Sequence, residues 1–287
     1  LNTFRFVAVV AMFALIATAS RALVYAEELT SKGVILDLDA DRGVTLNKEG
    51  RVTGWVNQAR FKAKDFLSTR DARHKNGTGH PKLEKGLESI NGHNAVSFKR
   101  HELINSDEDA FDHLTTGNGY TWLAVMSVDQ QVPGLKDVNC IFGNLRNDSQ
   151  YEGFWAGLND DNGVWMGSRN GKTFGRWNAD NPKVQGPVLK KGRFYVVAGR
   201  MGAGRKKVVI ELFINTTKPV ASKPFVVNPK ADPSKMAIGQ ERDATTHPGK
   251  ESFDGRIARM LMYERPLSNQ ELAGTITLLR KRYNISD

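Results

Sequence analysis

Phe253-Asp254-Gly255-Arg256-Ile257-Ala258-Arg259-Met260-Leu261-Met262-Tyr263-Glu264-Arg265-Pro266-Leu267-Ser268, continued by Asn269-Gln270-Glu271-Leu272, reads as a strand, a turn and the start of a capped helix. From Arg256 to Tyr263, alternation puts Ile257, Arg259, Leu261 and Tyr263 on one side and Arg256, Ala258, Met260 and Met262 on the other. That is the period of a strand, and the second side is also largely apolar. Pro266 ends regular pairing because it has no amide to donate. Ser268 with Glu271 three residues later forms a capping box, in which each side chain satisfies an orphan amide of the first turn. Leu272, Ile276, Leu279 and Tyr283 then predict a helical apolar stripe as far as Asn284.

The other end of the chain speaks to compartment. Arg5 precedes an uncharged run from Phe6 to Ala19, and Val24-Tyr25-Ala26 places small residues where a signal peptidase reads. This order predicts a secretory signal over residues 1–26, cleaved after Ala26, and a secreted, periplasmic or cell-surface protein. The apolar run is short of the ~20 residues that span a bilayer, so the remaining chain is not expected to be transmembrane. The whole sequence has 287 residues with 41 basic and 31 acidic side chains, a net charge of +10. Residues 1–26 hold Arg5, Arg21 and no acid, so cleavage leaves 261 residues, 39 bases against 31 acids and a charge of +8. A chain of that size buries a full core without disulfides. The lone Cys140, alternating with Asn139, reads as a small core hydrophobe.

Between the ends the pattern is nearly all β. Predicted strands are 34–38, 95–98, 120–128, 140–142, 153–158, 163–167, 193–200, 208–215, 235–239 and 256–263. Turn clusters such as Asn159-Asp160-Asp161-Asn162-Gly163 and Asn170-Gly171 separate them. Many short strands favour a sandwich over a parallel sheet. Residues 62–86, rich in Lys and Gly, read as a long surface loop, and no linker divides the chain, so residues 27–287 form one domain.

Several segments in order carry a family resemblance. Ile35-Leu36-Asp37-Leu38-Asp39-Ala40-Asp41 is followed by Gly54-Trp55-Val56-Asn57-Gln58; Pro81-Lys82-Leu83, Ile90-Asn91-Gly92 and Ala95-Val96-Ser97-Phe98 come next; then Tyr120 to Val125, Val208 to Asn215 and the closing Phe253–Leu272 stretch. Together they resemble the laminin-G-like domains of secreted bacterial proteins, in the concanavalin A-like lectin/glucanase superfamily. The resemblance implies an all-β jelly-roll sandwich of two antiparallel sheets with a short C-terminal helix. Thr216-Thr217 replaces the glycine usual after the Val208–Asn215 strand and implies a different turn. Such domains bind carbohydrate, mediate adhesion or serve larger enzymes, so the fold leaves function open.

Apparent catalytic motifs fail on chemistry. Gly199 to Lys206 nearly spells a phosphate loop, but Arg205 stands in place of its Lys, Lys206 in place of its Ser or Thr, and a β pattern follows. His101-Glu102-Leu103-Ile104-Asn105 lacks the second His of a zinc-protease helix. Asp37, Asp39 and Asp41 resemble the start of a calcium loop, yet Gly43 comes one place late and Lys48 sits where the bidentate acid belongs, so strand-end capping is the reading. A structural calcium is compatible with the superfamily; Asp160, Asp161 and Asp254 are further candidates, and no ligand set is assigned. No Glu-x-Asp-x-Glu array supplies the flanking carboxylates of a glycosidase, and no segment matches a lyase's Arg, Gln, His and Tyr set.

The positive signal is the stretch from Tyr151 to Trp177, where Tyr151, Phe154, Trp155, Trp165, Phe174 and Trp177 interleave with amides and charges. Aromatic rings stack on the C–H faces of sugars while polar groups read hydroxyls and acidic substituents. Candidate carbohydrate-binding residues are therefore Trp155, Trp165, Arg169, Arg176 and Trp177. Trp155 and Trp165 also fit ordinary core positions of paired strands, and Trp177 is the expected exposed platform. Basic clusters at Lys190, Lys191 and Arg193, at Arg205-Lys206-Lys207 and at Arg280-Lys281-Arg282 suit solvated turns and a helix C-terminus. For an exported chain this charge points to acidic glycans rather than nucleic acid. The expectation is a non-catalytic, lectin-like protein for polysaccharide, acidic polysaccharide included; the alternatives are a polysaccharide-degrading enzyme on the same fold and a cell-surface adhesion or structural module.

Overall fold

The computed structural model describes residues 29–68, 80–134, 139–147, 151–172, 177–240 and 251–286. The predicted signal segment lies outside them. Two antiparallel sheets face each other across an apolar core, and a helix covers the outside of the first. The first sheet holds β1 (Val34–Asp39), β5 (Lys82–Leu87), β6 (His93–Lys99), β8 (Tyr120–Val128), β14 (Phe194–Met201), β15 (Lys207–Ile214), β16 (Ala221–Val226) and β18 (Asp254–Tyr263). The second holds β2 (Val44–Leu46), β3 (Val52–Val56), β4 (Asp65–Leu67), β7 (Leu103–Ile104), β9 (Asn139–Gly143), β10 (Arg146–Asn147), β11 (Tyr151–Leu158), β12 (Gly163–Asn170), β13 (Lys183–Val188) and β17 (Ala237–Ile238). In space the first runs β16-β15-β14-β8-β18-β6-β5, with β1 also on β18. The second runs β13-β12-β11-β9-β17-β7-β4-β3-β2, with β10 on β11. Among the described residues, no helix is long and apolar enough to cross a membrane.

Strand β8 shows why the sequence does this. Tyr120, Trp122, Ala124, Met126 and Val128 point into the core between the sheets, and Leu123 and Val125 point under the helix. A strand covered on both faces needs no polar alternation, and all nine of its residues are buried. The Trp-containing β3 closes the far side, where the Trp55 indole N–H donates to the Asp39 carbonyl at 3.1 Å.

The closing stretch departs from its own alternation at one point. Ile257 pairs with Met126, but Arg259 pairs with Val125, so Ala258 is an extra residue forming a β-bulge. The bulge shifts the period by one: Ile257 joins Met260 and Met262 in the inter-sheet core, while Ala258, Leu261 and Tyr263 lie under the helix. Arg259 stays with that second set and clamps Asp37 of β1 with two hydrogen bonds of 3.0 and 2.9 Å, with Asp39 at 3.7 Å. Its guanidinium is almost wholly buried, so these acids offset a charge that burial alone would not tolerate.

Helix α1 (Asn269–Arg282) follows with the predicted capping box: the Glu271 amide donates to Ser268 Oγ, and the Ser268 amide donates to Glu271 Oε2. Arg265 grips the same Glu271 carboxylate with bonds of 2.9 and 2.7 Å. The Arg265 bonds, with those from Ser268, outweigh the small cost of burial and hold Glu271 at about 2. Leu272, Ile276, Leu279 and Tyr283 are the buried stripe. At the β15–β16 connection, Asn215 (φ 54) takes the left-handed position, and the Lys218 amide donates to Thr216 Oγ1.

Residues 62–86 depart from the predicted loop, since β4 and β5 both lie within them; residues 69–79 lie outside the described set. Strands β13 and β16 were also not anticipated. Each carries a proline inside it, Pro187 and Pro224, and each is the last strand of its sheet. An outermost strand has one edge without a ladder, which is where proline is tolerated.

Candidate functional site

Alternate residues of β11 and β12 place tryptophan and glycine in a checkerboard on the outer face of the second sheet. Trp155 pairs with Gly167, and Gly157 pairs with Trp165. Each glycine makes room for an indole: a Cβ on Gly157 would lie 2.7 Å from the Trp165 ring, and one on Gly167 would collide with the Trp177 ring. Trp177 stacks on Trp155 with centroids 5.0 Å apart and planes at 23°, and meets Trp165 edge-on at 5.3 Å and 79°. These are the favoured aromatic geometries. Lys183, on β13, holds its ammonium 5.0 Å above Trp165 and 5.9 Å above Trp177, and donates to Asn159 Oδ1 at 2.7 Å.

The loop that carries Trp177 is fixed by amides. Asn178 Oδ1 accepts from the backbone of Asp180 and Asn181 at 2.9 and 3.0 Å. Buried Asn181 accepts from the Asn170 amide at 2.7 Å, anchoring the loop to the end of β12. Asn170 Nδ2 donates to the Val226 carbonyl, and the Val226 amide donates to the Asp180 carbonyl, so the same network reaches β16 of the other sheet. Where β13 and β16 come together, a cleft of about 690 Å³ opens, lined by Trp177, Asn178, Pro182, Lys183, Gln185 and Lys223 among others. None of the described residues lining it is acidic.

The predicted site residues therefore take different places. Trp155 (3 % exposed) and Trp165 (0 %) are brought together with Trp177 but lie beneath it. Trp177 is half-buried and presents the aromatic wall of the cleft. Arg169 is buried with its guanidinium 5.6 Å from the Tyr151 ring, and burial lowers its pKa to about 10. Arg176 lies outside the described residues. Sequence reading did not single out Lys183, Gln185 or Lys223, because all three belong to the proline-bearing edge strands. The Trp-x-Gly repeat at 155–157 and 165–167 was the available signal for the stacked cluster.

Acidic groups sort differently from the calcium-like spacing. Asp37 serves Arg259, Asp39 accepts the Asp41 amide and pairs with Arg42, and Asp41 meets His93 and the Asn94 amide. Asp160 accepts from Gly134 and Asn139, and Asp161 from Gly163 across its turn. Instead, Asp109, Asp112 and Asp232 bring one carboxylate oxygen each within 4.8 Å of the others, a donor set suited to a hard cation. Burial, with the charges of Asp232, Asp109 and Glu108, pushes Asp112 up to about 7.

A family model described as the concanavalin A-like lectin/glucanases superfamily matches residues 105–273. Among curated proteins no relative matches. Among solved structures, the chain is similar to Trypanosoma rangeli sialidase in complex with the inhibitor DANA, at 12 % identity and a TM-score of 0.56 over 93 % of this chain and 38 % of the sialidase. The same sialidase in complex with sialic acid gives 14 % identity and a TM-score of 0.51, over 89 % and 34 %. The Ruminococcus gnavus IT-sialidase CBM40 bound to alpha2,3 sialyllactose gives 18 % identity and a TM-score of 0.46, over 68 % and 97 %. The chain thus spans little more than a third of the sialidase, and at these identities the first two likenesses are of fold.

Proposed function

The chain belongs to the concanavalin A-like lectin/glucanase superfamily, and from that premise we propose that it is a secreted, non-catalytic carbohydrate-binding protein whose Trp177 cleft takes an acidic glycan. One observation carries this reading: an indole wall, two lysines and two amides line the same cleft, with no acid among its described lining residues. The ring of Trp177 suits the C–H face of a sugar, Asn178 and Gln185 suit its hydroxyls, and Lys183 and Lys223 suit its carboxylate or sulfate. Hydrolysis by a pair of carboxylates has no such pair to use among the described residues that line this cleft. Stacking on Trp155 and the amide network hold the platform before ligand arrives, which lowers the ordering cost of binding. The signal-like residues 5–26 support export, and an exported protein beginning at Glu27 is the expected N-terminal sequence.

A glycan array that includes uronate, sulfated and sialylated polymers beside their neutral counterparts tests the proposal. The sialylated probes are included because a sialidase, about a third of which is similar in fold to this chain, is known in complex with sialic acid. Binding is expected to favour the acidic members and to weaken with added salt. No binding across the array overturns the reading, and release of reducing ends or unsaturated products from the same polymers replaces it with a catalytic one.

A further inference from the structure

A second pocket, of about 320 Å³, is lined by Lys99, Asp129, Gln130, Lys191 and Asp254. It lies at the opposite end of β14 from the Trp177 cleft. Lys191 precedes the start of β14, whereas Lys223 of the cleft pairs with Ile210, which pairs with Met201 at the end of β14. At about 3.3 Å per residue, the strand separates the two by roughly 25 Å.

Three of the lining residues form a row across the first sheet. Lys99 pairs with Asp254, and the Asp129 amide donates to the Asp254 carbonyl at 2.9 Å, one step beyond the Val128–Gly255 pair. Opposed residues of an antiparallel pair share a face, so the two carboxyl groups lie side by side, an unfavourable arrangement if both are ionised and nothing lies between them. Asp129 is answered by Arg256 at 2.9 Å. Asp254 is 8 % exposed, and its Oδ1 is buried with no hydrogen-bond partner among the described residues. Burial raises its pKa; a hydrogen bond from the Arg100 backbone and the charges of Arg100 and Lys99 oppose the rise, and Asp129 adds to it. The floor is rigid: Gln131, 1 % exposed, donates to the Asp254 carbonyl at 2.9 Å and accepts from the Asp254 amide at 3.0 Å. A buried acceptor left unpaired is costly, and the residue that carries it lines the pocket.

The charges of the row select the occupant. A bare cation would meet Lys99 and Lys191, and an anion would meet Asp129 and Asp254. A neutral, hydroxyl-rich ring offers donors to the acids and acceptors to the lysines and to Gln130. The volume is at the small end for a ligand pocket, enough for one such ring. No aromatic side chain is among the described lining residues, so recognition rests on hydrogen bonds. We infer that this pocket is a second saccharide subsite, taking one neutral sugar residue whose hydroxyls donate to Asp254 and Asp129. It stands on different residues from the Trp177 cleft and does not depend on that cleft's ligand.

Titration of ¹⁵N-labelled protein with D-glucose, D-galactose, D-mannose and N-acetyl-D-glucosamine tests it. At least one sugar is expected to give saturable millimolar shifts at the Gln130 side-chain amide and the Lys191 and Asp254 backbone amides. Affinity should fall at least tenfold in Asp254→Asn. It should fall similarly in Gln130→Ala, an exposed site whose change leaves the fold intact. The side-chain amides of Asn178 and Gln185 report the other cleft in the same spectra, so each reading fails by itself. No saturable shift at Gln130 with any of the four sugars, or undiminished affinity in both variants, overturns the inference.

Discussion

The two outer faces of this sandwich are both apolar, and they are closed in different ways. On the first sheet, Leu123, Val125, Val196, Leu261 and Tyr263 are covered by the stripe of helix α1, Leu272, Ile276, Leu279 and Tyr283. On the second, Cys140, Trp155 and Trp165 are covered by Tyr151 and Trp177, with Lys183 above the rings. The helix removes the apolar strand residues beneath it from water. One indole and one ammonium close the other face only in part, leaving ring edge and positive charge at the cleft. The same burial of apolar residues therefore stabilises on one side and shapes the proposed binding surface on the other.

Substitutions separate these roles. The largest effect is expected beside the helix face, at Arg259→Ala, which takes from Asp37 its cation among the described residues and from the fully buried Asp39 one of the three near it. Removing one partner of a buried ion pair costs about 3–5 kcal/mol, which urea unfolding will read, with little change in glycan selectivity for whatever remains folded. Gly167→Ala should do the reverse. Its methyl displaces Trp177 from Trp155, so acidic-glycan affinity by calorimetry falls about tenfold, or about 1.4 kcal/mol, while the helix-covered face is untouched. Ser268→Ala removes the acceptor of the capping box and should cost about 1 kcal/mol of stability, with affinity unchanged.

Asp112 belongs to neither face and sharpens the comparison through pH. Its folded pKa of about 7 lies above the unfolded value, so the folded state keeps a proton that the unfolded chain has released. The associated stability is present below the unfolded pKa of 3.8 and is lost as pH rises through about 7. Asp112→Asn should therefore match the wild type in thermal unfolding near pH 4 and exceed it at pH 8. The Trp177 cleft should not register the change. Equal differences at both pH values would contradict this assignment.

Much of the helix-covered face was legible in the sequence, because it is built from local rules. Alternation marked β18, Pro266 marked its end, and Ser268 with Glu271 marked the helix start three residues apart. The bulge at Ala258 was not legible, since it exists only in the register between β18 and β8. The cleft was half legible. Trp177 ends the aromatic stretch and Asn178 follows it, but Lys183, Gln185 and Lys223 lie on strands whose prolines argue against strand formation until their place at the sheet edges is known. Trp155 and Trp165 carry the chemistry of a sugar platform in sequence, yet cross-strand pairing with glycines turns them into the bed on which Trp177 lies. Asp109 and Asp112 stand three residues apart in one segment and meet Asp232 from another, a long-range encounter that no local spacing encodes.

Calorimetric titration of wild type and Trp177→Ala with the best acidic glycan from the array, alongside their thermal unfolding, tests the central claim most directly. Trp177 forms the outer layer of its cluster, so its removal should lower affinity at least tenfold while the melting temperature falls by only a few degrees. Unchanged affinity in a folded Trp177→Ala protein would contradict the account.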